Sequence, residues 1–161
     1  MADAPLLDAA LAGPEALEHA LGVAVVAGWE VFPRSIERVR QQLEQDPAAA
    51  RWGSRLFLAG EPPALVGWGG FKGPPRDGAV ELGYAVAPAR EGRGLATAAV
   101  RAMLREAFAD PAVGSVIAHT LPEPGPSPRV LEKAGFRFAG DVTEHGRAAW
   151  RFRILDGALP A

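Results

Sequence analysis

Residues 79–108 read AVELGYAVAPAREGRGLATAAVRAMLREAF, and the order of residue types in this stretch decides the fold. A strand, a turn ended by Pro88, a loop punctuated by Gly92 and Gly94, and an amphipathic helix follow one another. In the helical part Leu95, Ala99, Val100, Met103, Leu104, Ala107 and Phe108 recur at spacings of three and four, with Arg101, Arg105 and Glu106 on the other side. A helix backed by a core holds its first turn rigid, and glycines ahead of it let the backbone approach a ligand closely. The unpaired N–H groups at such a start attract anions, so a phosphate or pyrophosphate is the expected guest.

Upstream, SRLFLAGEPPALVGWGGFKG predicts a hairpin, with Leu56, Phe57 and Leu58 in one strand, Gly60 to Pro63 in the turn and Ala64 to Phe71 in the other strand. Gly67, Gly69 and Gly70 inside that second strand point to a bulge or a close backbone approach. Nearer the N-terminus, PEALEHAL between Gly13 and Gly22 predicts a short helix over Pro14 to Leu21. SIERVRQQLEQD predicts another, with Ser35 as its N-cap and Ile36, Val39 and Leu43 on one stripe. Trp29 and Phe32 lie between these two helices; with Trp68 and Phe71 they are either core or the wall of an acceptor pocket, and core is the default for aromatics beside apolar runs.

Downstream, VGSVIAHTLP predicts a strand with Val116 to Ala118 buried. Ser127 and Pro128 read as the N-cap and first turn of a short helix that Gly135 ends. FRFAGDVTEHGRAAWRFRIL closes the chain as a second hairpin, with Glu144-His145 in an exposed turn. The elements together predict an α+β fold and one domain over residues 1–161.

A chain of 161 residues, 48% hydrophobic and 22% charged, is long enough to bury one ordinary core. Its formal charge of −2 offers no basic field for counterion release, so no nucleic-acid partner is expected. With no cysteine there is neither a disulfide nor a thiolate metal site, and His19, His119 and His145 lie far apart in sequence; no metal is expected. The N-terminal stretch lacks the pattern of a signal peptide, and nowhere do about 18 apolar residues run together. A soluble, cytoplasmic protein with no membrane partner is therefore expected, compatible with a homodimer.

Glycine loops serve several nucleotide chemistries. A phosphate-binding loop of the Walker type needs Lys followed by Ser or Thr, and no such pair follows a spaced glycine here. A dinucleotide fingerprint needs a third glycine or alanine where Thr97 stands, and four residues separate the loop from Val86. Glu91 to Ala96, EGRGLA, resembles instead the acetyl-CoA loop of the GNAT superfamily of N-acetyltransferases, written as Arg or Gln, two residues, Gly, one residue, then Gly or Ala. Gly94 and Ala96 match, while Glu91 stands where that family has Arg or Gln, flanked by Arg90 and Arg93. PSPRVLEKAGFRFAG resembles the family's later helix-to-strand segment, with Ser127, Arg129 and Gly135-Phe136 in place and Pro124 where an asparagine is common. The resemblance covers roughly residues 55–155 and looks closest to the ribosomal-protein acetyltransferase-like branch.

The resemblance implies a single-domain mixed β-sheet with splayed central strands flanked by helices, and acetyl-CoA as co-substrate. Tyr84, Ala85 and Val86 would pair with the pantetheine amides, and Glu91, Gly92, Arg93, Gly94, Leu95, Ala96 and Thr97, with Ser127 and Arg129, would hold the phosphates and cofactor arm. The acceptor would be a small-molecule or peptide amine that attacks the thioester directly in a ternary complex. Glu81 is the candidate base, or else a salt-bridged strand residue; Ser127 is the candidate donor to the leaving thiolate, or else a cap. Tyr84, the one tyrosine, sits on the strand, and His119 is expected to be structural. The competing class is a non-catalytic acyl-CoA-binding module.

Overall fold

Helix signals dominate the start of the chain. Asp3 accepts the Leu6 N–H at 3.0 Å and, with proline in the first turn, begins helix α1, Ala4–Ala12. Its alanine-rich run carries only a weak amphipathic signal, so this helix has no counterpart among those expected from the sequence. Helix α2, Pro14–Leu21, stops as expected at Gly22, which takes the left-handed conformation at φ 67°. After β1, Ala24–Val25, helix α3 spans Pro33–Gln45, so Ser35 lies inside the first turn rather than at the N-cap. A proline tolerated at the head of a helix moved that boundary three residues upstream, from Ile36 to Pro33.

The structure, a computed structural model, describes residues 1–31 and 33–158, which fall into two compact units. Residues 1–73 with 84–95 make the first, and residues 74–83 with 96–161 make the second.

In the first unit the expected hairpin forms as β2, Ser54–Ala59, and β3, Ala64–Phe71. β3 pairs antiparallel with β2 and parallel with β1. The β2–β3 register steps from Phe57↔Gly67 to Leu58↔Leu65, which leaves Val66 as an extra residue on β3. The bulge that the glycines foretold is therefore at Val66, and its carbonyl accepts the Ala87 N–H at 2.7 Å. Gly67 and Gly70 are both close approaches: a Cβ at Gly67 would stand 2.3 Å from the Ala85 carbonyl oxygen and 2.9 Å from the Val86 Cα, and one at Gly70 would stand 2.3 Å from the Gly53 carbonyl oxygen.

This unit's core joins Leu7, Leu17, Trp29, Ile36, Leu65, Trp68 and Ala85. Trp29 and Trp68 meet edge to face with centroids 6.1 Å apart, and the Trp68 Nε1–H donates to the Glu30 carbonyl at 2.7 Å. Trp52 and Phe71 pair in the same manner at 5.2 Å. Such contacts add about 0.5–1.5 kcal/mol beyond the area buried. Trp29, Trp68 and Phe71 are thus core, not pocket wall, while Phe32 lies outside the described residues.

Strand β4, Ala79–Val86, gives residues 79–83 to the second unit and residues 84–86 to the first. Helix α4, Leu95–Phe108, buries Val100, Met103, Leu104 and Ala107, the stripe that its periodicity announced. There follow β5, Ser115–Thr120, helix α5, Pro126–Lys133, and the closing hairpin of β6, Arg137–Glu144, with β7, Arg147–Leu155. In this unit the strands run in the order β4-β5-β7-β6. β4 and β5 are parallel; β5 with β7 and β6 with β7 are antiparallel. The parallel register joins Ala79, Val80 and Glu81 to Ser115, Val116 and Ile117 and ends there. Alternation puts Val80, Val116, Ala118, Phe152 and Ile154 on one face, all buried, and Glu81, His119 and Arg151 on the other.

Among the described residues, seven strands, paired in both senses, and five α-helices make the α+β fold expected. None of the described helices is long and apolar enough to cross a membrane.

Gly67→Ala should lower stability by about 1–3 kcal/mol, because only backbone could yield to the new methyl group. Gly83→Ala, whose Cβ meets nothing within 4 Å, should change it far less. Urea denaturation of the two variants checks the contrast, and equal midpoints would refute it.

Candidate active site

The glycine loop begins as one turn of 3-10 helix, Pro88–Arg90. The Arg90 N–H donates to the Ala87 carbonyl at 2.8 Å and the Glu91 N–H to the Pro88 carbonyl at 3.3 Å, so both are spent inside the turn. Gly92 and Gly94 then take φ of 72° and 76°, which side-chain-bearing residues rarely adopt. A Cβ at either would meet no atom within 4 Å, and residues 91–94 are exposed. The chain next enters α4, where Leu95, Ala96 and Thr97 bring first-turn N–H groups that helix geometry leaves without intrahelical partners. The result is an open cradle of donors from Gly92 to Thr97, suited to a phosphate group. Glu91 differs from its neighbours: its carboxylate is exposed and its N–H is turned back onto the loop.

The three residues before this turn differ in access. Ala85 and Val86 are buried, and Tyr84 is half-buried on the Leu82–Val86 side of β4 by strand alternation. Helix α5 begins at Pro126 after Gly125, with no side-chain cap, so Ser127 belongs to the first turn and is not the N-cap. Proline at the first helical position again moved the boundary. Ser127 and Arg129 are both exposed.

Glu81 is the candidate whose surroundings the structure defines best. Its Oε1 lies 2.8 Å from Nδ1 of His119, with side-chain exposures of 18% for the acid and 7% for the ring. Arg151, directly opposite His119 across β5 and β7, donates its Nε–H to His119 Nε2 at 3.1 Å. An arginine N–H can only donate, so this contact suits the tautomer in which Nε2 accepts and the Nδ1–H points at Glu81. Glu144 joins them: one oxygen of each carboxylate and a ring nitrogen of His119 lie within 4.8 Å of one another. The expectation of a solvent-exposed Glu144-His145 turn holds for His145, at 78% side-chain exposure, and fails for Glu144, at 28%.

Two carboxylates and a histidine are a common cation donor set, but the hydrogen bonds here do not suit one. Both ring nitrogens are engaged, one by Glu81 and one by a permanently charged guanidinium that would repel a cation. The chemistry of the cluster is that of an oriented, half-buried carboxylate able to accept a proton. No motif marks Arg151, and Glu144 is expected only as an exposed turn residue. Alternation in W-R-F-R-I would have put Arg151 on the polar face of its strand, whereas nothing local marks Glu144.

A family model described as an acetyltransferase (GNAT) domain matches residues 2–137. Among solved structures, a GnaT-family acetyltransferase from Bordetella pertussis is 30% identical over 72% of this chain and 71% of its own, with a TM-score of 0.55. An acetyltransferase of the GNAT family from Bacillus anthracis is 25% identical, over 74% of each chain, with a TM-score of 0.59. RimJ of Mycobacterium smegmatis, solved in complex with CoA-disulfide, shares the fold at 24% identity and a TM-score of 0.62, over 81% of this chain and 63% of its own. No curated protein sequence matches the chain. The family match spans both the glycine cradle and the Glu81–His119 pair, and the chain belongs to the GNAT family of acetyltransferases.

Proposed function

We propose that this acetyltransferase moves an acetyl group from acetyl-CoA to a primary amine of a small molecule or peptide, by direct attack in a ternary complex. The observation that carries this is the open run of donors from Gly92 to Thr97 at the head of a core-backed helix, in a chain of this family. Those N–H groups hold the pyrophosphate, and a rigid helix start binds it without first paying for its own ordering. Tyr84, Ala85 and Val86 present strand backbone to the pantetheine amides, as an edge does to an added strand. Arg93, Ser127 and Arg129 add exposed polar groups for the cofactor's phosphates and arm.

Glu81 is the base. It lies four residues before Ala85, roughly 13 Å along the strand at about 3.3 Å per residue, a span that a water relay bridges. Glu81 takes one proton from the acceptor ammonium, the freed amine forms its C–N bond to the thioester carbon as the C–S bond breaks, and the nitrogen's surplus proton passes to the departing thiolate by way of the Ser127 hydroxyl. The acceptor classes that fit are a peptide N-terminus, as in the ribosomal-protein acetyltransferase-like branch, a polyamine, an amino acid or an antibiotic amine.

Thiol release from acetyl-CoA across a panel of these amines, paired with calorimetric binding of CoA, tests the assignment. Binding without turnover on any amine would favour an acyl-CoA-binding module, and no binding would refute both. Glu81→Gln should lower turnover near pH 7 by about 10²-fold with CoA affinity unchanged. The loss should shrink as pH nears the amine's own pKa, about 8 for an α-amine and about 10.4 for lysine. An unchanged pH profile removes Glu81 from the mechanism. Gly94→Val places a β-branched residue at φ 76°. The strain of about 1–3 kcal/mol should reshape the cradle and weaken CoA binding about 10- to 100-fold. Retained affinity would mean that the phosphates bind elsewhere.

A further inference from the structure

The bond from Arg151 to His119 plays no part in the chemistry described so far, yet it ends on the ring that contacts the base. A neutral imidazole carries its one proton on either nitrogen, and the partner of each nitrogen decides which. Were the proton on Nε2, two donors would face each other across the 3.1 Å contact with Arg151, and a bare Nδ1 lone pair would face the Glu81 carboxylate at 2.8 Å. Both clashes vanish in the Nδ1–H tautomer. At 7% side-chain exposure the ring has little water with which to make other bonds.

We propose that His119 and Arg151 are positioning residues for Glu81: Arg151 claims His119 Nε2, the ring proton is thereby placed on Nδ1, and its donation to Oε1 orients the carboxylate that deprotonates the amine. This rests on Glu81 being the base. Among the described residues, the charged and titratable groups on the Glu81 face include His119 from β5, Arg151 and Arg153 from β7 and Glu144 from β6, with Arg153 donating to the Ser115 hydroxyl at 3.1 Å. Glu144 opposes the ionised form of its neighbour, while the His119 N–H and the Arg151 charge favour it. The sheet builds the array without loops. Glu81 faces Ile117 at the last parallel pair, His119 stands two residues further on the same face, and Arg151 is its direct antiparallel partner.

Nitrogen-15 NMR of the histidine rings in the intact protein reads the tautomer without any variant. His119 should be the Nδ1–H form near neutral pH, and an Nε2–H form would overturn the proposal. In kinetics, His119→Leu and Arg151→Met should each lower kcat about ten-fold, the size of coupling within one hydrogen-bonded network, with KM for acetyl-CoA little changed. The acid limb of the kcat/KM profile should move to higher pH, since a carboxylate without its N–H donor protonates more readily. His119→Asn, whose amide reaches the place of Nδ1, should recover most of the lost rate. Adding Arg151→Met to His119→Asn should cost nothing further, because Nε2 is gone.

Parental rate and pH profile in His119→Leu, or an undiminished Arg151→Met effect in the His119→Asn background, would overturn the positioning role. Glu81→Gln separates the two ideas. If it keeps the parental pH profile, the assignment of the base fails. If it loses the acid limb while the His119 and Arg151 variants behave as parent, only the positioning role fails.

Discussion

The register that sets His119 directly opposite Arg151 across β5 and β7 is the constraint on which the polar side of the second unit depends. Side chains alternate strictly along a strand, so a slip of one residue would send both to the apolar face and expose Phe152 and Ile154 in their stead. Burial of that apolar face prevents the slip, with Val116, Ala118, Phe152 and Ile154 all at 2% exposure or less. The same register carries Gly140 of β6 to the other side of Arg151, past a bulge at Ala139. Hydrophobic burial thus fixes where the charged side chains stand, and the hydrogen bonds from Arg151 to His119 to Glu81 follow from strand pairing.

At the loop the same division of labour appears. Val100, Met103, Leu104 and Ala107 anchor α4, and the first turn inherits that rigidity. The backbone ahead of it is shaped by two left-handed glycines and by a 3-10 turn that uses up the N–H groups of Arg90 and Glu91. An acid at position 91 costs the cradle one side chain of favourable charge, but none of the donors from Gly92 onward depends on it.

Much of this was legible in the residues. Both hairpins, α2 and α4 follow from apolar spacing bounded by glycine and proline, signals that operate within a few residues. Boundaries marked by serine were less secure: at Ser35 and at Ser127 a proline upstream had already started the helix. Helix α1 escaped notice because its cap, Asp3, and its packing against α3, where Arg40 bonds Asp8 at 2.6 Å, are stronger than its periodicity. The glycines of β3 announced an irregular strand, and the structure assigns the bulge to Val66 and the close contacts to Gly67 and Gly70.

By itself, the sequence determined the α+β order of elements, the glycine cradle before a rigid helix, and Glu81 as an acid on the strand leading to it. Each rests on local chemistry: turn residues, apolar period and backbone freedom. Only the tertiary structure decided what Glu81 touches. His119, Glu144 and Arg151 come from three other strands, 38, 63 and 70 residues further along the chain, and their meeting is a matter of register. Register is set by which apolar side chains bury together across strands, and no local stretch of sequence encodes that sum.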